Sequence, residues 1–123
     1  QVRRECAIAL RHEKTLRAAK LWAELAARHD GKDRWYLEAL GLSSDLNADA
    51  CFDAWLAKVG DKWNTPAGRD IVWRIRAKSA PSYLVKILKD EKLPAEGHPR
   101  YVRAFDFHSG PEKDKALESL LDI

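Results

Sequence analysis

The chain of 123 residues contains no methionine and only two cysteines. It also lacks an apolar run of about 18 residues, so no segment is predicted to span a membrane. Cys6 and Cys51 belong to no C-x-x-C or C-x-x-C-H pattern, which excludes covalent haem and C-x-x-C zinc sites in this segment. Because a full-length chain starts with methionine and this one starts with Gln1, we expect it to be a piece of a larger protein.

Motifs that carry catalytic chemistry are also missing. The six glycines are spread along the chain as helix terminators, so there is no glycine-rich phosphate loop. No serine stands in a G-x-S-x-G frame. None of the four histidines forms an i, i+4 pair with another histidine or a cysteine, and they are predicted to be exposed residues near helix ends. We therefore predict that this segment is not an enzyme and holds no metal or cofactor.

The composition predicts one globular, all-α domain. Hydrophobic residues make up 46% and charged residues 33% of the chain, which excludes a disordered protein. Val, Ile and Thr recur at helical intervals and never in a period-2 run, so no strand is predicted. The net charge of +3 permits an acidic partner without requiring one.

Apolar residues recur with the spacing of a helix face in four sets that start 34, 32 and 33 residues apart. The sets are Ala18-Leu21-Trp22-Leu25, Phe52-Trp55-Leu56-Val59, Leu84-Ile87-Leu88 and Leu117-Leu120-Leu121. A second series of helices opens at Arg4, Arg34, Arg69 and Arg100, followed by apolar positions that include Leu37, Val72 and Val102. Two helices in every 30 to 35 residues are typical of an α-solenoid.

Residues 1–123 are therefore predicted to form a single HEAT-like helical-repeat domain, an α-α superhelix of about eight helices in four pairs. The predicted helices cover about 2–11, 15–28, 33–41, 47–59, 66–78, 81–89, 100–108 and 111–123. Asp33 and Thr65 are predicted N-caps. The third helix is predicted to stop at Gly41 or just after, and the fourth to end at Gly60.

Arginine and tryptophan provide the candidate contact residues. Trp22 and Trp55 hold equivalent inward positions, so core packing explains them. Trp and Arg dominate interface hot spots, and we select five candidates for binding a partner: Arg34, Trp35, Arg69, Trp73 and Arg76. Two interpretations of the arginine series stay open. Each arginine pairs with an acid or carbonyl of the adjoining unit, or together they form a row of cations that grips an anionic partner.

Nucleic-acid binding is the alternative function. Basic and apolar residues alternate at Arg69, Trp73, Arg74, Arg76 and Lys78, and lysines follow at Lys86, Lys89 and Lys92. Helical repeats that bind nucleic acid carry basic and aromatic groups on a concave face. A solvated helix face has the same pattern in one dimension, so the sequence does not separate the two.

Several strings resemble known families. The run Val2-Arg-Arg-Glu-Cys-Ala-Ile-Ala-Leu10 resembles the second helix of a HEAT repeat, with its V-R-x-x-A-x-x-A-L pattern. Three longer strings, at 21–25, 30–41 and 63–74, resemble the HEAT-like segment of large membrane-associated dehydrogenase-like proteins of planctomycetes and verrucomicrobia. The resemblance covers roughly residues 1 to 90.

This resemblance implies a context for the segment. In that family a propeller similar to sugar or quinone dehydrogenases precedes the helical repeats, and a c-type haem domain with C-x-x-C-H follows. The segment would then be a scaffold or spacer for neighbouring domains or a protein partner, in the periplasm or outside the cytoplasm. None of the family's catalytic or haem-ligating residues has a counterpart here. Residues such as Asp33, Asp70 and Trp73 would serve repeat packing or domain docking.

Overall fold

The computed structural model describes residues 2–9 and 16–121, which are all-helical and contain no strand. Their eight α-helices are α1 (Val2–Ala9), α2 (Leu16–Ala27), α3 (Arg34–Ser44), α4 (Ala48–Val59), α5 (Pro66–Arg74), α6 (Ala80–Leu88), α7 (His98–Ala104) and α8 (Pro111–Leu120). Short 3-10 turns cover Gly60–Trp63, Ala95–Gly97 and Phe105–Phe107. The predicted all-α class and the eight helices are confirmed. The predicted helical positions 10, 11, 15, 122 and 123 lie outside the described residues. None of the described helices is long and apolar enough to cross a bilayer.

Local signals set several helix boundaries as predicted. The Asp33 carboxylate accepts hydrogen bonds from the backbone N–H groups of Trp35 and Tyr36, each at 3.0 Å, which starts α3. The Thr65 hydroxyl accepts from the N–H of Gly68 at 3.0 Å ahead of α5, whose first residue is Pro66. Gly60 ends α4 with a φ of +56°, a conformation that favours glycine.

Three predicted helix ends are wrong. The seventh α-helix ends at Ala104, not at His108, and the chain continues as a 3-10 turn over Phe105–Phe107. The third helix is predicted to stop at Gly41 or just after, but it runs on to Ser44, because this glycine serves packing inside the helix and does not terminate it. The fifth helix ends at Arg74, not near Lys78, since Ile75 has extended backbone with ψ of 141°. Ile75 and Ala77 are nevertheless fully buried, so the apolar pattern continues through the extended segment and imitates a longer helix.

The chain divides into two compact units, Gln1–Ala77 and Lys78–Ile123. In the first unit α1 packs on α3, α2 on α4 and α3 on α5. The largest buried side chains of this unit include Trp22, Leu40, Phe52 and Val72. Equivalent helices of the predicted repeat therefore lie against each other.

In the second unit α6 packs on α8 and on α7. Leu84, Ile87, Tyr101 and Phe105 are buried there. As in the first unit, a helix of the predicted series lies against the next member of the same series.

The apolar sets fit the structure well in α4 and α6 but not in α8. Ala116 is the buried residue of α8, while Leu117 is 38% and Leu121 84% exposed. The face of α8 that packs on α6 therefore contains Ala116, and it is not the face of Leu117 and Leu121 that the sequence predicts to be buried. Leu21 in α2 and Val102 in α7 are also exposed, contrary to the predicted inward positions. The helical periodicity predicts the helices. Which residues of each apolar face are buried depends on the helix that packs against it.

Candidate functional site

Arg34 and Trp35 form an exposed pair in the first turn of α3. Trp35 is 63% exposed, the largest such fraction of any described tryptophan. The guanidinium carbon of Arg34 lies 5.4 Å from the centroid of the Trp35 ring, a cation–π arrangement. The cap that Asp33 places on α3 fixes the backbone from which both side chains project. Both side chains of this pair are therefore exposed to solvent at the start of α3.

The other three predicted contact residues belong to the α5 region and are half-buried. Arg69 donates from Nη1 to the Asn64 side-chain oxygen at 3.1 Å. Arg76 donates from Nη1 to the Trp73 carbonyl at 3.2 Å. Burial, together with the positive charge of Arg74, lowers the pKa of Arg76. Arg76 is thus a partly desolvated cation that is hydrogen-bonded to the backbone of half-buried Trp73.

The structure places the five predicted residues in two groups. The backbone of Gly31 lies beside Ala67, and Gly41 lies beside Arg74, so α3 and α5 run in the same direction. Arg34 and Trp35 are therefore at one end of this helix pair, with Arg69 one turn into α5. Trp73 and Arg76 lie at the other end. They do not form one cluster.

Arg74, which is not among the predicted contact residues, is held by two carboxylates. It is 8% exposed and is the last residue of α5. Its Nη1 and Nη2 donate to the two Asp45 carboxylate oxygens at 3.1 and 3.3 Å. Its Nη2 and Nε donate to the two Glu38 oxygens at 3.3 and 3.4 Å. Both carboxylates are thus bound bidentately.

Opposing effects set the charge state of Arg74. Burial is the largest single influence and disfavours the cation, but hydrogen bonds and charge from Asp45 and Glu38 together outweigh it and raise the pKa of Arg74. The guanidinium therefore stays charged while it joins the end of α5 to the middle and end of α3. We name Arg74, Glu38 and Asp45 the arginine clamp.

Gly41 makes room for this clamp. A Cβ at position 41 would overlap the Nε, Cζ and Cγ atoms of Arg74. The signal for it in the sequence was a single glycine inside an otherwise helical pattern, which often marks close packing. The sequence alone favours a helix terminator at this position, because the packing partner of the glycine lies in another helix.

His29 is buried, which contradicts its prediction as an exposed helix-end residue. It is 6% exposed, and its Nε2 lies 2.9 Å from Asp70 Oδ2. Its ring stacks on Tyr36 with centroids 6.0 Å apart, and the Tyr36 hydroxyl donates to the Leu25 carbonyl. These contacts tie the segment after α2 to α3 and α5.

A cavity of about 530 Å³ lies beside His29. It is lined by Ala26, Ala27, His29, Trp55, Lys58, Val59, Lys62, Thr65, Ala67, Gly68 and Ile71. The Thr65 hydroxyl already accepts the helix-capping hydrogen bond from Gly68. In residues 2–9 and 16–121, no three histidine, cysteine or acidic side chains are grouped as metal ligands would be. The His29–Asp70 pair therefore acts as a polar link between helices that also walls the cavity.

Comparison with protein-family models, with curated proteins and with solved structures found no match for this chain.

Proposed function

We propose that this chain is a non-catalytic helical-repeat module that holds neighbouring domains or a protein partner at a fixed separation. The observation that carries the proposal is the contact between helices two positions apart, α1 with α3, α2 with α4, α3 with α5 and α6 with α8. In a tandem array of helical hairpins each helix packs against its equivalent in the next repeat. This pattern supports a HEAT-like superhelix.

Polar links inside the first unit support a spacer role. The Trp22 indole donates to the Leu40 carbonyl at 2.9 Å and fixes α2 on α3. The arginine clamp fixes α5 on α3, and the His29–Asp70 pair joins the end of α2 to α5. In each link at least one partner is buried, and such directional bonds define one packing arrangement where apolar contacts alone would allow several. A spacer with a defined length needs this property.

The proposed contact surface centres on Arg34 and Trp35. Both are exposed, and a stacked arginine and tryptophan is a combination that is enriched in interface hot spots. Trp73 and Arg76, at the far end of the α3–α5 pair, provide a second proposed contact. Two separate contacts on one rigid helix pair suit a module that touches two neighbours.

The cellular context is proposed from resemblance alone. The similarity of residues 1 to 90 to helical segments of dehydrogenase-like proteins supports a place between an oxidising propeller and a C-x-x-C-H haem domain, outside the cytoplasm. In that setting the module would set the distance over which electrons travel. Its partners would be domains of the same chain.

The contacts of the arginines bear on the nucleic-acid alternative. Arg74 is bound by two carboxylates, and Arg69 donates to Asn64, so these guanidiniums are committed within the protein. Phosphate binding needs cations that face solvent. A gel shift with duplex DNA at 50 and 200 mM salt distinguishes the alternatives. Tight, strongly salt-dependent binding would favour the nucleic-acid function and contradict the scaffold.

The scaffold proposal is tested by binding to the adjoining domains. The full reading frame is sequenced, and the domains it encodes on either side are produced separately and titrated with this module by calorimetry. We expect W35A to weaken binding at least tenfold, because interface tryptophans are frequent hot spots. A tenfold loss corresponds to about 1.4 kcal/mol of binding free energy. V102A is the matched control, since Val102 is 51% exposed and belongs to the second unit. Failure of the module to bind these domains, or equal affinity of W35A and wild type for them, would overturn its role as a spacer between domains.

A further inference from the structure

A groove of about 440 Å³ runs between α6 and α8 in the second unit. Its lining residues are Lys78, Ser79, Ser82, Val85, Lys86, Lys89, Glu112, Lys115, Ala116 and Ser119. None of them belongs to the contact surface proposed above. The two helices that form it are packed on each other, so the groove has a defined floor.

Positive charge is concentrated at this groove. Four lysines line it against one carboxylate, that of Glu112, although residues 78–123 contain eight basic and eight acidic side chains and are neutral as a whole. Within the part of the chain that the structure describes, Lys86, Lys89 and Lys115 form no salt bridge. Three of the ammonium groups are therefore available to an anion.

The floor of the groove is apolar. Val85 is 8% and Ala116 6% exposed, and the aliphatic stems of the lysines extend the apolar surface towards the rim. The Lys86 ammonium lies 4.4 Å from the centroid of the Tyr83 ring, which restrains that side chain along α6. The hydroxyls of Ser82 and Ser119 donate to the Ser79 and Ala116 carbonyls, so they offer no proton to an incoming anion.

This combination selects the class of ligand. Proteins that bind a nucleic-acid backbone neutralise many phosphates with a broad basic surface, often through arginine. Here the cations are all lysines, a carboxylate lies among them, and the surrounding unit is neutral. An apolar floor under a ring of cations instead complements an extended segment whose carboxylates flank an aliphatic side chain.

The geometry points to the groove between α6 and α8 as a docking site for an acidic peptide segment of a protein partner, with one aliphatic side chain seated over Val85 and Ala116. This inference rests on the proposed scaffold function and names the chemistry of one partner. The ammonium groups of Lys86, Lys89 and Lys115 pair with the carboxylates, and the small side chain of Ala116 leaves room for the aliphatic group.

The test uses the full chain and a fluorescein-labelled peptide of ten residues in which one central leucine is flanked by glutamates. Binding is followed by fluorescence anisotropy at 50 and 200 mM salt. We expect K86E/K115E to weaken binding at least tenfold. The matched control is K58E/K62E, which reverses two exposed lysines in the first unit. Circular dichroism checks that both variants are folded. A peptide with serine in place of leucine is expected to bind at least threefold more weakly.

Three outcomes would overturn the inference. The first is an equal loss of binding in K86E/K115E and K58E/K62E, since this would indicate a general charge effect. The second is equal affinity for the serine peptide, which would remove the role of the floor. The third is tighter binding of duplex DNA that K86E/K115E abolishes. W35A should leave peptide affinity unchanged, so a failed groove and a failed contact surface at Trp35 are distinguishable.

Discussion

The guanidinium of Arg74 lies directly over the Cα of Gly41, so closely that any Cβ there would overlap it. A glycine in the middle of α3 and an arginine at the end of α5 therefore form one packing unit. The same arginine holds Glu38 and Asp45, on either side of Gly41 along the chain. The fit of α5 on α3 thus depends on a missing methyl group.

Replacing Gly41 by alanine is expected to lower the free energy of unfolding by about 1–3 kcal/mol, as overpacking does in dense cores, despite the better helix propensity of alanine. The R74A substitution alone should lower the free energy of unfolding by about 2 kcal/mol. This is less than for a fully buried pair, because the two carboxylates remain half-exposed to water. Urea denaturation of G41A, R74A and G41A/R74A forms a double-mutant cycle. The double variant should be more stable than the sum of the single effects predicts. Strict additivity would show that the two residues do not interact.

The helix caps give a second prediction. D33A and T65A should each lower the free energy of unfolding by about 1 kcal/mol, because each removes an acceptor for N–H groups in the first turn of a helix. N47A is the matched control, since Asn47 precedes α4 without a capping hydrogen bond from its side chain. Thermal denaturation of the three variants is the measurement. A loss of stability in N47A as large as that in D33A would contradict the capping role of Asp33.

Trp22 and Trp35 should respond in opposite ways to substitution. Trp22 is 1% exposed and donates to the Leu40 carbonyl, so W22A should cost about 3–5 kcal/mol through cavity formation and the loss of a buried hydrogen bond. W35A should change stability by less than about 0.5 kcal/mol, as exposed substitutions do. Chemical denaturation of both variants, which measures their free energies of unfolding, tests this prediction. A strongly destabilised W35A would indicate that its surface is not free for a partner.

Cys51 gives a prediction that depends on pH. Burial raises the pKa of its thiol to about 12, and the side chain is 3% exposed. In a C6S background, Cys51 should not react with an aromatic disulfide reagent at pH 8 until the protein unfolds, because the thiolate is the reactive form. Labelling of the native protein as fast as of the unfolded chain would contradict this burial.

The same shift has a definite sign in stability. A thiol whose folded pKa exceeds its unfolded value of about 8.5 favours the native state fully below that value. The contribution is lost as the pH rises through about 12. The free energy of unfolding should therefore decline between about pH 9 and 12 more steeply in C6S than in C6S/C51A. Parallel curves for the two variants would refute the linkage.

Features that depend on neighbours in sequence were predictable. The caps at Asp33 and Thr65 and the left-handed Gly60 each need only a few adjacent residues, so the pattern of residues was sufficient. The buried positions of Trp22, Phe52, Trp55 and Leu84 followed from helical periodicity in the same way.

Features that depend on packing between elements were not predictable. The arginine clamp joins residues 29 and 36 positions apart, and the His29–Asp70 pair joins residues 41 apart. No local pattern distinguishes such residues from solvated charges. In α8, burial of Ala116 in place of Leu117 reflects the surface of α6, which the sequence of α8 does not contain. Three expectations stay predictions: the HEAT-like superhelix, the redox context, and the contact role of Arg34, Trp35, Arg69, Trp73 and Arg76.

Within each unit, the packing of helices on their second neighbours also bears on how this chain unfolds. In a repeat array the free energy of unfolding is approximately the sum of the stabilities of the individual hairpins and of the interfaces between successive hairpins. A substitution at one interface therefore destabilises mainly the two hairpins that form it. Amide hydrogen exchange should then decay in steps along the chain, with separate protection for α2–α4 and for α6–α8. A module of this kind can fray at one edge while the remainder keeps its form.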